Sequence, residues 1–100
     1  MHVIVWEFEP QAGQEREFER IYAADGDWAA LFRRSPEFQG TELLRPMAGR
    51  RYLTIDRWTS AEAFVAFRDR WQANYEALDR ACEALTAYEA LVGRFESSTE

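Results

Sequence analysis

The sequence predicts an α+β fold, a ferredoxin-like βαββαβ arrangement with an extra short helix, four strands in one antiparallel sheet and the helices on one face. Three observations predict it. Four segments alternate apolar and polar side chains as strands do. The stretches between the first and second and between the third and fourth repeat apolar residues at helical spacing, and a short loop, Pro46 to Gly49, joins the middle pair. Right-handed crossovers then set the first and third strands side by side in the centre.

His2 to Glu9 places His2, Ile4, Trp6 and Phe8 on one side and Val3, Val5, Glu7 and Glu9 on the other. This is a strand with two unlike faces, and Pro10 stops its ladder. In the following QEREFERIYAA, Phe18, Ile21 and Tyr22 keep i, i+3, i+4 spacing among charged residues, which predicts an amphipathic helix lying on the sheet. Asp25-Gly26-Asp27 punctuates it. Asp27 is the expected N-cap of a short helix, Trp28 to Arg34, with Trp28, Leu31 and Phe32 facing one way and Ser35-Pro36 at its end.

Phe38 to Arg45 reads as the second strand, with Gly40 marking a bulge or a close backbone approach. Arg51 to Trp58 is the third, antiparallel to it. Thr59 or Ser60 caps the next helix. With Thr59 as cap, Glu62 completes a capping box; with Ser60 the box is absent. Phe64 and Phe67, then Trp71, Tyr75, Leu78, Cys82 and Leu85, form the apolar stripe, and a bend or a division into two helices is expected between Arg68 and Asn74. Thr86 to Glu96 alternates again as a fourth strand. One domain over residues 1–96 and a frayed polar tail, Ser97 to Glu100, complete the expectation.

At 100 residues and 47% hydrophobic, with fifteen aromatics, the chain supports a single small core. Each strand keeps apolar residues on both sides although the helices cover only one, so a second copy packed sheet to sheet is expected on the other. Eighteen acidic residues stand against twelve basic ones, all arginine, for a net charge of −6. A nucleic-acid face needs clustered cations to replace counterions, and none is present. Cys82 is the only cysteine, so neither an intrachain disulfide nor a cysteine zinc site is available. MHVIVWEFEP lacks the basic stretch and small-residue cleavage site of a secretory leader, and no apolar run reaches membrane-spanning length. A soluble cytoplasmic protein with no membrane partner is expected.

From the VIVWEFEP strand and the EFERIY helix, through FQGTELL and YLTIDRWTSAEAFVAF, to the final YEALVGRF, the chain resembles the antibiotic biosynthesis monooxygenase family. The most specific piece is W-x-S-x-E-A-F at Trp58 to Phe64, just after the third strand. The resemblance implies a homodimeric α/β barrel with a pocket in each subunit between sheet and helices. It also implies oxygenation of phenols or quinone precursors without flavin, haem or metal. Quinone-forming members place an asparagine one helical turn before a tryptophan, with a tyrosine and an arginine nearby; here Phe67 precedes Trp71 and Asn74 follows it. Haem-degrading relatives carry an asparagine on the first strand and a helix histidine. This chain has Trp6 and Glu7 on that strand, and its only histidine is His2.

Cofactor-free oxygenation needs an electron-rich substrate anion, an apolar pocket for it and O2, and donors to hold the charge. Trp71, Asn74 and Tyr75 are the catalytic candidates: Asn74 to hold a carbonyl or phenolate, Tyr75 to donate or relay a proton, Trp71 to stack on the ring. As plain structure, Trp71 and Tyr75 are core stripe and Asn74 a solvated kink. Trp6, Trp28, Phe32, Trp58 and Phe67 are the candidate substrate-binding walls. Asp56, on the same strand side as Tyr52, Thr54 and Trp58, is either a buried base or the partner of Arg57, Arg94 or the Arg50-Arg51 pair. His2 shares a side with Trp6 but lies beside the terminus, where fraying is common. Two readings stand: an enzyme acting on a small aromatic or polycyclic substrate with O2, or a non-catalytic ligand-binding or interaction module on the same scaffold.

Overall fold

The structure is a computed structural model that describes residues 1–98. Strands β1 (His2–Pro10), β2 (Phe38–Leu44), β3 (Tyr52–Trp58) and β4 (Thr86–Glu96) form one antiparallel sheet in the order β2-β3-β1-β4. Helices α1 (Glu15–Tyr22) and α2 (Asp27–Phe32) lie in the first crossover, and α3 (Ala61–Arg70) and α4 (Gln72–Cys82) in the second. This is the ferredoxin-like α+β fold, with α2 as the added helix. Of the expected polar tail, the Ser97 amide bonds to the Met1 carbonyl at 2.9 Å, and the last two residues lie outside the described ones.

Strand periodicity sorts the side chains. Ile4, Phe8, Tyr52, Thr54, Asp56 and Trp58 are buried on the helix-covered face, while Val3, Val5, Leu53 and Ile55 stay half-buried on the open one. Trp58 is completely buried, its ring 5.5, 5.4 and 5.2 Å from those of Phe32, Phe64 and Phe67. Phe18 is equally buried, stacked on Tyr22 at 4.3 Å. Truncating such rings typically costs about 3–5 kcal/mol.

Three local details refine the expectations. Gly26, not Asp27, is the N-cap of α2: a Cβ there would lie 2.4 Å from the Ile21 carbonyl oxygen, so only glycine lets α2 start so close to the end of α1. Ser60 caps α3, its Oγ accepting from the Ala63 amide at 3.1 Å, because the Thr59 hydroxyl is turned to the Glu37 carboxylate. Gly40, at φ +128, sits at an irregularity in the β2–β3 ladder, as the sequence suggests.

The expected break between Arg68 and Asn74 falls at Trp71, whose backbone (φ −111, ψ 26) divides α3 from α4. A second irregularity, between Val5 and Trp6, leaves Val92 of β4 unpaired. His2 is not frayed. It is buried in the ladder between Trp58 and Glu96, with Nδ1 3.3 Å from the Glu96 carboxylate. No helix among the described residues is long and apolar enough to cross a membrane.

Candidate functional site

Between the sheet and the helices lies a cavity of about 260 Å³. Its apolar wall is Trp6 and Phe8 from β1, Tyr22 from α1, and Trp28 and Phe32 from α2. Its polar lining is Thr41 from β2, Thr54 and Asp56 from β3, Arg68 from α3, Tyr75 and Asp79 from α4, and Glu89 from β4. The volume is just under the roughly 300–1,000 Å³ usual for small-molecule sites. It suits a compact aromatic.

Asp56 is the deepest charged group on this wall, 9% exposed. The Thr41 hydroxyl donates to its Oδ1 at 2.6 Å, across the β2–β3 ladder where the two residues are partners. Burial disfavours the charged form and pushes the carboxyl up to about 6, the hydrogen bond from Thr41 pulling the other way. The alternative of an arginine partner does not hold. Arg51 and Arg57 project from the opposite face of the sheet, where they meet Glu7, Glu9 and Glu42; Arg50 pairs with Glu9 and Glu15, and Arg94 lies over Phe64. A carboxyl that titrates near neutrality beside an apolar cavity fits a general base.

Arg68 lies with its guanidinium 3.8 Å from the Tyr75 ring centroid, and its Nε is buried without a hydrogen-bond partner. Tyr75 also meets Trp28 edge-on at 5.0 Å. Burial holds the Tyr75 hydroxyl in its protonated form; Arg68 opposes this, while Asp79, Asp56 and Glu89 reinforce it. The Arg68 guanidinium and the neutral phenol of Tyr75, both on lining residues, are the groups suited to hold an anion there.

Of the three catalytic candidates from the sequence, only Tyr75 reaches the cavity. Asn74 is exposed on the outer side of α4, and Trp71 is half-buried at the helix break between Arg34 and Arg70, whose guanidinium carbons lie 4.7 and 5.0 Å from its ring centroid. Asn74 precedes Tyr75 directly, and successive helix positions point about 100° apart, so the two cannot share one wall. Among the binding candidates, Trp6, Trp28 and Phe32 line the cavity, whereas Trp58 and Phe67 are packed behind Phe32. Thr41, Thr54 and Arg68 also line the cavity and are not among the site candidates that the sequence suggests. Two threonines on the buried sides of strands and a charged residue four after Phe64, on the core-facing side of α3, were the available signals. No group of three or more His, Cys, Asp or Glu able to hold a metal ion occurs among the described residues.

The model of the family described as antibiotic biosynthesis monooxygenase matches residues 1–79. Among solved structures, the chain is similar to SnoaB, a cofactor-independent oxygenase from Streptomyces nogalater, in a mutant form: 27% identity, 99% of this chain and 94% of that one, TM-score 0.80. It is similar also to the heme-degrader MhuD from Mycobacterium tuberculosis with two hemes bound in its active site: 30% identity, 100% and 98% coverage, TM-score 0.68. HapK from Hahella chejuensis, at 18% identity, 100% and 95% coverage and TM-score 0.72, shares the fold. No curated protein sequence matches.

Proposed function

The chain belongs to the antibiotic biosynthesis monooxygenase family, and on that premise we propose that it is a cofactor-independent monooxygenase acting on a small aromatic phenol or quinone precursor. The observation that carries this reading is the buried Asp56 carboxyl, poised near neutrality on the wall of an aromatic cavity that also holds Arg68 and Tyr75. The similarity to SnoaB supports it.

In this reading Asp56 removes a proton from an activated ring carbon or its enol, and Arg68 and Tyr75 hold the resulting oxyanion. The anion transfers one electron to O2, and the two radicals join as a carbon–oxygen bond. Protonated Asp56 returns its proton to the peroxide. Loss of water then converts the original CH2 to C=O, with one oxygen atom in the product and one in water. Trp6, Trp28 and Phe32 exclude bulk water from the intermediates. The domain spans residues 1–96, a cytoplasmic setting accompanies the reading, and the apolar open face of the sheet supports a homodimer.

Haem degradation, which the similarity to MhuD raises, is less favoured. A haem is large for about 260 Å³, and the one histidine, His2, is not among the cavity-lining residues but pairs with Glu96. The test is oxygen uptake by the purified protein with a panel of anthrones and hydroquinones, with product identification. Uptake yielding a quinone that carries one oxygen atom from O2, in the presence of a metal chelator, supports the proposal; no uptake across the panel favours the ligand-binding module.

A further inference from the structure

The charge balance of the cavity bears on which aromatic enters it. Three carboxylates, Asp56, Asp79 and Glu89, line it against one guanidinium, Arg68. Asp79 and Glu89 come from opposite layers, α4 and β4, and both are exposed, so they stand at the mouth while Asp56 lies at depth. Glu7, Glu9, Glu17, Glu19 and Glu42 each have an arginine within 4.0 Å. Among the described residues, Asp79 and Glu89 have none, which is true also of Glu62, Asp69, Glu76 and Glu83. Burial holds the Glu89 carboxyl above its ordinary range, and the negative charges of Asp79 and Glu83 add to that.

The pair at the mouth is not the only feature that points to a ligand. The buried Asp56 and the Arg68 side chain line the same space. Apolar walls concentrate the field of such charges, so a ligand entering here meets a stronger potential than at an open surface.

Resting on the reading above and deepening it, we infer that Asp79 and Glu89 select an aromatic substrate that carries a protonated amine. The ammonium sits between the two mouth carboxylates and beside aromatic faces that favour a cation, the ring lies against Trp6 and Trp28, and the ionisable hydroxyl points inward to Asp56. A ligand with a carboxylate at the same position meets like charge and is rejected, and a planar dicarboxylate more so.

The test is a titration of intrinsic tryptophan fluorescence of the full chain at low salt with three probes of one ring system: naphthylmethylamine, naphthylmethanol and naphthoate. It is run on the wild type, the Asp79→Asn/Glu89→Gln double variant, and Glu62→Gln, which alters a carboxylate outside the cavity lining. The amine is expected to bind at least about tenfold more tightly than the carboxylate to the wild type and to Glu62→Gln, a preference that narrows at high salt. In the double variant the preference falls to within about twofold. Equal affinities in the wild type, a preference that survives in the double variant, or no binding of any probe overturns the inference. Oxygen uptake is not the readout. Selectivity absent while turnover persists removes this inference alone, and selectivity present without turnover removes the enzyme reading alone.

Discussion

The Thr41 hydroxyl donates a 2.6 Å hydrogen bond to Asp56 across the β2–β3 ladder and thereby fixes a buried carboxyl on the wall of an aromatic cavity. The side chains meet because residues paired across neighbouring strands face the same way. The bond favours the ionised form of Asp56, but burial outweighs it.

That imbalance links Asp56 to stability. Its carboxyl is raised from 3.8 to about 6, so between these values the folded chain binds more protons than the unfolded one. The contribution is fully present below about pH 4 and is lost as pH rises through about 6, a difference on the order of 3 kcal/mol. Asp56→Asn keeps an acceptor for Thr41 and removes the titration. Thermal melts from pH 4 to 7 are expected to show the variant gaining stability relative to the wild type as pH rises.

Thr41→Val removes the one hydrogen bond that opposes burial. The carboxyl then moves further up, and the acid limb of any pH–rate profile moves up by roughly one pH unit. Turnover well above the limb changes less. A pH–rate profile of the variant beside the wild type measures the shift.

Arg68 and Tyr75 hold the anion in this account, whereas Asn74 faces solvent. Replacing Arg68 by Gln is expected to lower kcat by roughly 10²-fold, the usual consequence of deleting one donor to a developing oxyanion. Tyr75→Phe lowers it less. Asn74→Ala stays within about twofold of the wild type, as is usual for surface changes. Steady-state oxygen uptake by the three variants ranks them.

The open sheet face carries Val3, Val5, Leu53 and Ile55, with Leu44 and Phe95 exposed beside them. Sedimentation at micromolar concentration is expected to give a dimer. Ile55→Glu, placing a charge at the centre of that face opposite Val5, shifts it toward monomer. A wild type that sediments as a monomer contradicts the sheet-to-sheet arrangement.

Much of this architecture was legible in the sequence, because strand and helix periods are properties of a single segment. Alternation in His2 to Glu9 and Tyr52 to Trp58 marked the buried face, and the stripe from Phe64 to Leu85 marked the second helical layer along with its break. The aromatic walls Trp6, Trp28 and Phe32 followed from the same periods. The polar corner did not. Thr41 meets Asp56 only through the register that the irregularity at Gly40 sets, and nothing local to either residue states that register. Arg68 falls in the stretch where the pattern predicts a bend, and its charge hides its position, four residues after Phe64 on the core-facing side of α3. Asn74 drew attention through its chemistry, while its rotation about α4 turned it to solvent.

Asp56 as the base of a cofactor-independent oxygenation is tested most directly by comparing oxygen uptake of the wild type and Asp56→Asn. The assay uses one anthrone that the wild type converts, with metal chelator present, across pH 5 to 8. Wild-type turnover should rise through about pH 6, and the variant, folded and at least as stable at pH 7, should lose roughly 10²-fold or more at every pH. Equal rates for the two proteins, or a wild-type rate that does not change through this range, would contradict it.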